Sequence, residues 1–257
     1  MRTDVTSSGM PTVVAQAPGH LALPQLEIIA LDVDDALRAQ AGGANRVEVV
    51  SAIDRGGLTP SAALVQGIAR RCRVSQMVML RPHGRSFVYT DDEMALIREA
   101  VAMARDAGAH GLVFGALTSE GAVDTARLEQ VLRWADGMPL TFHRAFDAAA
   151  DLQQAFTVLG HYRGTIAQVL TSGGQPSASE GRDVLRELMR RWQAGEGVEP
   201  LIGAGVGADT LADLRLYTGA RQFHVGSGAR SSGAYGMRVD ALRVARLRAL
   251  LDSVSTP

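Results

Sequence analysis

PLTFHRAFD, residues 139–147, decides how the rest of this chain is read. Leu140–His143 begins as a short apolar run, which reads as a strand. It ends abruptly in an imidazole and a guanidinium, with a carboxylate, Asp147, close behind. In a parallel α/β protein, residues at the carboxyl ends of strands face the ligand crevice. A histidine placed there can move protons near neutral pH. Arg144 beside it can hold a carboxylate or phosphate through two parallel hydrogen bonds. The same groups would also suit a structural ion-pair cluster, so the other strand ends must decide.

Working outward, apolar strands alternate with amphipathic helices. The strands read as Leu26–Ala30, Arg46–Val50, Gln76–Leu80, Gly111–Gly115, Leu140–His143, Ile166–Leu170, Pro200–Ile202 and Gln222–Val225. Helices are expected over Asp34–Ala41, from Thr59 to about Cys72, and over Asp91–Ala107, Thr125–Trp134, Gly181–Gln193, Ala208–Tyr217 and Val239–Leu251. Thr59 reads as an N-cap with Pro60 at the first helical position, where proline's missing donor costs nothing. Thr90-Asp91-Asp92-Glu93 spells a capping box. No helix is delimited between the fifth and sixth strands. Eight near-continuous apolar strands with short connections predict a (β/α)8 barrel, with a doubly wound open sheet as the alternative. Residues 1 to about 24 lack periodicity and read as a loose N-terminal extension, leaving 25–257 to the barrel.

Composition narrows the function classes. A chain of 257 residues suits a barrel of this kind, which takes about 250. A formal net charge of -1 gives no basic field for nucleic acid. No apolar run approaches the roughly 20 residues of a membrane helix. All 26 basic side chains are arginine, which excludes Schiff-base catalysis by lysine. The single cysteine, Cys72, excludes an intrachain disulfide or a multi-thiolate metal site and points to a reducing cytoplasm.

A barrel would gather the strand ends at one mouth. Those ends offer Glu48, Arg81 and His83, then His143, Arg144 and Asp147, then Thr171 and Ser172, then Gly203 and Gly205, and finally Gly226 and Ser227. Polar residues collecting at one pole from distant segments favour a functional site. Strand alternation puts Arg46, Glu48 and Val50 on one face, Glu27 and Ile29 on one face, and Met77, Met79 and Arg81 on another. Buried charges need partners, so Glu27 and Glu48 are expected to pair with Arg46 and Arg81. Glu27 and Arg46 read as a structural layer, and Glu48 and Arg81 as ligand contacts. The glycine-rich turns after strands seven and eight can cradle an anion. A hard divalent ion held by Glu48, His143 and Asp147 is conceivable.

EVVSAIDRGGLTPS (48–61), RPHGRSFVYTDDE (81–93), GLVFGAL (111–117), TFHRAFD (141–147), VLTSG (169–173) and the Phe223-His224 strand resemble the CutC family, associated by name with copper homeostasis. The resemblance runs from Leu26 to about Arg230. It implies a (β/α)8 barrel, a cytoplasmic protein, and a homodimer or higher homo-oligomer. It also implies copper, bound in some members through cysteines whose places look like Ile29 and Val50 here. Cu(I) favours soft sulfur ligands, so copper binding through those positions is not expected. Two functions follow. One is a CutC-like role in copper homeostasis, with a metal ion as partner. The other is an enzyme, a lyase, isomerase or hydrolase, acting on a small anionic or phosphorylated, sugar-like metabolite. There Arg81 and Arg144 would clamp the ligand, and His143 or Glu48 would be the general base.

Overall fold

The computed structural model describes residues 24–253. The expected N-terminal extension lies outside them except for Pro24. Strands β1 (Gln25–Ala30), β2 (Arg46–Val49), β3 (Ser75–Met79), β4 (Gly111–Phe114), β5 (Leu140–Phe142), β6 (Ile166–Thr171), β7 (Glu199–Ile202) and β8 (Gln222–Val225) form a closed barrel in chain order. All pairs are parallel, and β1 pairs with β8 as well as with β2. That closure rules out the open doubly wound sheet. Helices α1 (Val33–Ala41), α2 (Ala62–Arg71), α3 (Asp91–Asp106), α4 (Thr125–Ala135), α5 (Leu152–Gly160), α6 (Arg182–Gln193), α7 (Leu211–Thr218) and α8 (Ala241–Ser253) follow the strands in turn.

Period-two alternation divides each strand between two cores. Leu26, Ile28, Val47, Val49, Val78 and Leu112 point outward into the layer between barrel and helices. Ile29, Val50, Met77, Met79 and Val113 point inward and form a separate apolar cluster inside the barrel. The helices meet the outer layer on one stripe, as α3 does with Met94, Ile97, Val101 and Ala104. Its start is fixed by the capping box, with Thr90 and Glu93 each bonding the other's amide. Among the described residues, no helix is long and apolar enough to cross a membrane.

Two local expectations are corrected. Thr59 does not cap α2, because its hydroxyl accepts the Arg81 amide at 2.8 Å and its amide donates to the Arg81 carbonyl at 2.9 Å. Ser61 is the cap instead, accepting from Leu64, and Pro60 stays outside the helix. The β2–α2 loop is thereby lashed to the end of β3. The second correction is α5, which Asp151 caps by accepting from the amides of Gln153 and Gln154. The helices expected from Ala208 and Val239 begin slightly later, at Leu211 and Ala241.

Candidate functional site

At the seam where β1 meets β2 and β8, the register sets Glu27 beside both Arg46 and His224. Arg46 Nε donates to Glu27 Oε2 at 2.5 Å, and His224 Nδ1 lies 2.7 Å from Glu27 Oε1. Burial alone would raise the pKa of Glu27, but the two positive neighbours outweigh it and hold the carboxyl at about 2. Glu48, two residues further along β2, has a different fate. Its Oε1 is buried without a partner, and its Oε2 stands 3.9 Å from His224 Nε2. Here burial dominates and the charge of Glu27 adds to it, while His224 and Arg46 offset only part. The Glu48 pKa is pushed up to about 7. Burial pulls His224 down, yet the facing carboxylates of Glu48 and Glu27 leave it raised above its ordinary value. Two equally buried carboxyls are thus driven far apart, the pattern that separates a fixed charge from a proton carrier.

The opposite wall comes from the ends of β3 and β5. Arg81 is 7% exposed, and its Nη1 donates to the carbonyls of Arg55 (3.3 Å) and Gly56 (3.1 Å). Its guanidinium carbon sits 4.6 Å from the centroid of the Phe87 ring, a favourable cation–π placement. Its Nε has no partner. His143 packs against the same phenyl ring at 5.1 Å. The Ala145 amide donates to His143 Nδ1 at 3.1 Å, which puts the ring proton on Nε2, and Nε2 is itself buried and unpartnered. Burial first, then the charge of Arg81, push the His143 pKa down to about 3. This imidazole is a neutral hydrogen-bond donor at physiological pH.

Arg144 reaches the mouth from the same segment. Its Nε donates to Asp147 Oδ2 at 2.8 Å and its Nη2 to Ser172 Oγ at 2.9 Å. Asp147 also accepts from the Thr171 hydroxyl (2.6 Å) and from the amides of Ser172 (3.1 Å) and Gly174 (3.0 Å). That carboxylate is saturated, so it aims Arg144 and ties the β5 and β6 loops together. The loop after β7 turns through two successive left-handed residues, Ala204 (φ 70°) and Gly205 (φ 71°). Such a conformation is costly for a residue with a Cβ and tends to cluster at ligand sites. After β8, a Cβ on Gly226 would overlap the Tyr235 hydroxyl, so glycine is what admits the phenol. These elements enclose a cavity of about 210 Å³. Its polar wall is Glu48, Arg81, His143, Arg144, His224 and Tyr235.

A profile of the CutC family matches residues 24–229. The chain belongs to the CutC family. The CutC protein of Xanthomonas campestris pv. campestris is 40% identical over 203 residues, covering 77% of this chain and 81% of the relative. That of Salmonella enteritidis is 36% identical over 203 residues, 79% of each chain. The crystal structure of a Streptococcus agalactiae CutC, named for copper homeostasis, superposes with a TM-score of 0.73 at 28% identity, covering 79% of this chain and 98% of that one. TrpF from Jonesia denitrificans, at 17% identity and a TM-score of 0.62 over 92% of this chain and all of its own, shares the barrel fold.

Copper is the metal that the CutC name raises, and the donor set tests it. Among the described residues, one group of three titratable side chains is close enough to hold an ion: Glu27, Glu48 and His224. It offers two carboxylates and an imidazole, with Glu27 already engaged by Arg46. Cu(I) seeks thiolates and thioethers. Ile29 and Val50 bring no sulfur to the strand ends and pack with Met77 and Met79 in the inner apolar cluster. Only Met79 of that methionine pair reaches the cavity wall. Cys72 lies at the end of α2. The residues do not fit Cu(I).

Of the residues expected at the site, Glu48, Arg81, His143, Arg144, Gly205, Gly226 and Ser227 line the cavity. Asp147, Thr171 and Ser172 stand behind Arg144. Gly203 leaves room for Leu170 and His224, which a Cβ there would crowd. His83 turns away, with Nε2 2.9 Å from Glu93 Oε1. The expected pairing of Glu48 with Arg81 does not form, since carbonyls hold the guanidinium. Nor do Glu48, His143 and Asp147 gather as an ion site, because Asp147 is taken by Arg144 and the β6 loop. Sequence reading does not single out His224 or Tyr235 as site residues, and it gives Glu27 a structural place only. For His224, its place two residues after the start of the last apolar strand was the available signal, on the face opposite Phe223 and Val225. Tyr235 had none.

Proposed function

We propose that this CutC-family barrel is an enzyme that moves a proton on a small anionic metabolite. One observation carries the reading. Glu48 Oε1, Arg81 Nε and His143 Nε2 are buried polar atoms without protein partners, and all three belong to residues lining a single cavity. Leaving such groups unsatisfied is costly, and their convergence on one space fits a ligand that bonds to them together. Glu48, with its pKa at about 7, exchanges a proton readily in either direction at neutral pH. His143 is unsuited to being the base: its Nδ1 accepts from a backbone amide and its Nε2 carries the proton. It serves instead as a neutral donor to an oxygen that gains charge, a role in which an uncharged imidazole is effective. Arg81 and Arg144 bind the anion, and Asp147 holds Arg144 in its pose.

The test is a thermal-shift screen of the purified protein against small phosphates, sugar phosphates and hydroxy acids, since a ligand of the folded state raises the melting temperature. An anion found this way is then incubated in D2O and followed by NMR for deuterium at carbon. Binding lost in Arg144→Ala, and exchange lost in Glu48→Gln, are the expected outcomes. If Cu(I) under reducing conditions is the one addition that shifts melting, the copper reading supplied by the relative's name replaces this one.

A further inference from the structure

The residues matched by the family profile end at 229, yet the cavity wall does not. Tyr235 comes from the loop that follows, and it lines the cavity beside Glu48 and Arg144. This loop is firmly held at its base. Arg230 is 1% exposed. Its Nη2 donates to the Ile29 carbonyl at 3.0 Å and to Asp35 Oδ2 at 2.8 Å, and its Nη1 to the Met237 carbonyl at 2.8 Å. Asp35 Oδ1 takes the Val239 amide at 2.9 Å, and Arg230 pairs with Val239 across an antiparallel bridge. The tip is different, for a Cβ on Gly233 or Gly236 would meet nothing within 4 Å. The ring of Tyr235 lies 5.5 Å from the Arg230 guanidinium carbon, the residue as a whole is 38% exposed, and its hydroxyl rests against Gly226 at the mouth.

The phenol oxygen lies at the mouth against Gly226, and Gly226 and Ser227 line the cavity with it. Its own proton has no acceptor among the described residues. The ionic groups acting on the phenol are Glu48, Arg230 and Arg144; the two arginines favour a negatively charged oxygen beside it, and Glu48 opposes one only when ionised. A phenol at the mouth whose proton is not shared within the protein is a donor for a negatively charged oxygen.

We infer that Tyr235 is a ligand-contacting, specificity-determining residue that roofs the cavity and donates its phenolic hydrogen bond to an oxyanion of the ligand, a phosphate or a carboxylate oxygen. The inference rests on the anionic-ligand reading above and adds to it a contact from outside the family-matched segment. A hydrogen bond to a charged group typically carries enough free energy that its loss weakens binding about tenfold.

Three probes test it by calorimetry and thermal shift: inorganic phosphate, glycerol 3-phosphate and glycerate. They are titrated into the wild-type chain, Tyr235→Phe, Tyr235→Ala and Arg144→Ala, with circular dichroism as a check on folding. Tyr235→Phe keeps the roof and removes only the O–H, so it should bind about tenfold more weakly. Tyr235→Ala should lose at least as much. A loss in the phosphate arm or in the carboxylate arm supports the inference and tells which oxyanion the phenol meets. Wild-type binding that falls in Arg144→Ala but is unchanged in Tyr235→Phe overturns the role of Tyr235 and leaves the anionic-ligand reading standing. A wild-type chain that binds none of the three overturns both.

Discussion

Replacing Glu48 by glutamine should stabilise this protein in alkaline solution and lose that advantage in acid. The folded-state pKa of about 7 lies above the ordinary 4.5, so the folded chain keeps a proton that the unfolded chain releases. The contribution of Glu48 to stability is complete below pH 4.5 and is lost as the pH rises to about 7. At about 1.4 kcal/mol for each pH unit, that interval comes to about 3 kcal/mol, taken as an upper value because His224 and Glu27 titrate against the same carboxyl. Glutamine keeps the shape and never ionises. The difference in unfolding free energy between Glu48→Gln and wild type should therefore grow by up to about 3 kcal/mol between pH 4.5 and pH 8. For a chain of this size, this corresponds to roughly 6–12 °C in melting temperature. His224 is raised first by Glu48, so its own loss of stability as the pH climbs past 6.5 shifts in Glu48→Gln and is a second reason for taking the figure as an upper value. Denaturant titrations at pH 4.5, 6 and 8 measure the quantity directly. A difference that stays flat across that range, or a variant less stable than wild type at pH 8, would refute the reasoning. Glu48 would then be an ionised, well-paired partner of His224 and not a carboxyl held in reserve.

Three further outcomes follow from the same geometry. Asp35→Ala should cost about 3–5 kcal/mol, because it leaves Arg230 buried without its counter-charge, and Asp35→Ala combined with Arg230→Met should recover much of the loss. A denaturation curve showing a cost below about 1 kcal/mol for the single variant would count against the pair as the anchor of the 230–239 loop. In NMR titrations the ring signals of His143, with its pKa at about 3, should stay still from pH 5 to 8, whereas His224 should titrate above 6.5. Movement of the His143 signals near pH 6.5 would mean that water reaches this buried ring. Cu(I) offered as its bicinchoninate complex should remain with the chelator, and stoichiometric transfer to the protein would contradict the donor chemistry of the cavity.

The barrel was legible in the sequence for a plain reason: a parallel strand buried on both faces must be apolar along its length, and eight such runs occur at the right spacing. Helix starts were legible wherever the cap bonds locally, as Thr90 does with Glu93. They were misread where a residue of capping type is drawn elsewhere. Thr59 is claimed by the backbone of Arg81, a residue just beyond the next strand, and no local pattern announces that. At the site, alternation placed Glu27, Arg46 and Glu48 on inward faces and found the pairing of Arg46 with Glu27. It did not reveal that His224 closes the arrangement, because that contact joins residues nearly the whole barrel apart in sequence. Nor did it reveal which carboxyl takes the hydrogen bonds of both Arg46 and His224, which is what separates a carboxyl at about 2 from one at about 7. Tyr235 lies in a run of Ser, Gly and Ala without periodicity, where pattern reading has nothing to work on.

The bond between His224 and Glu27 spans the line along which the first strand meets the last. Ring closure joins segments far apart in sequence, and such pairings form late in folding because the intervening loop must be ordered first. Until the last strand docks on the first, Glu27 and Glu48 lack the imidazole that, with Arg46, acts on both carboxyls. The cluster of Glu27, Glu48 and His224 therefore belongs to the closed ring alone, and to no run of strands that leaves out either end.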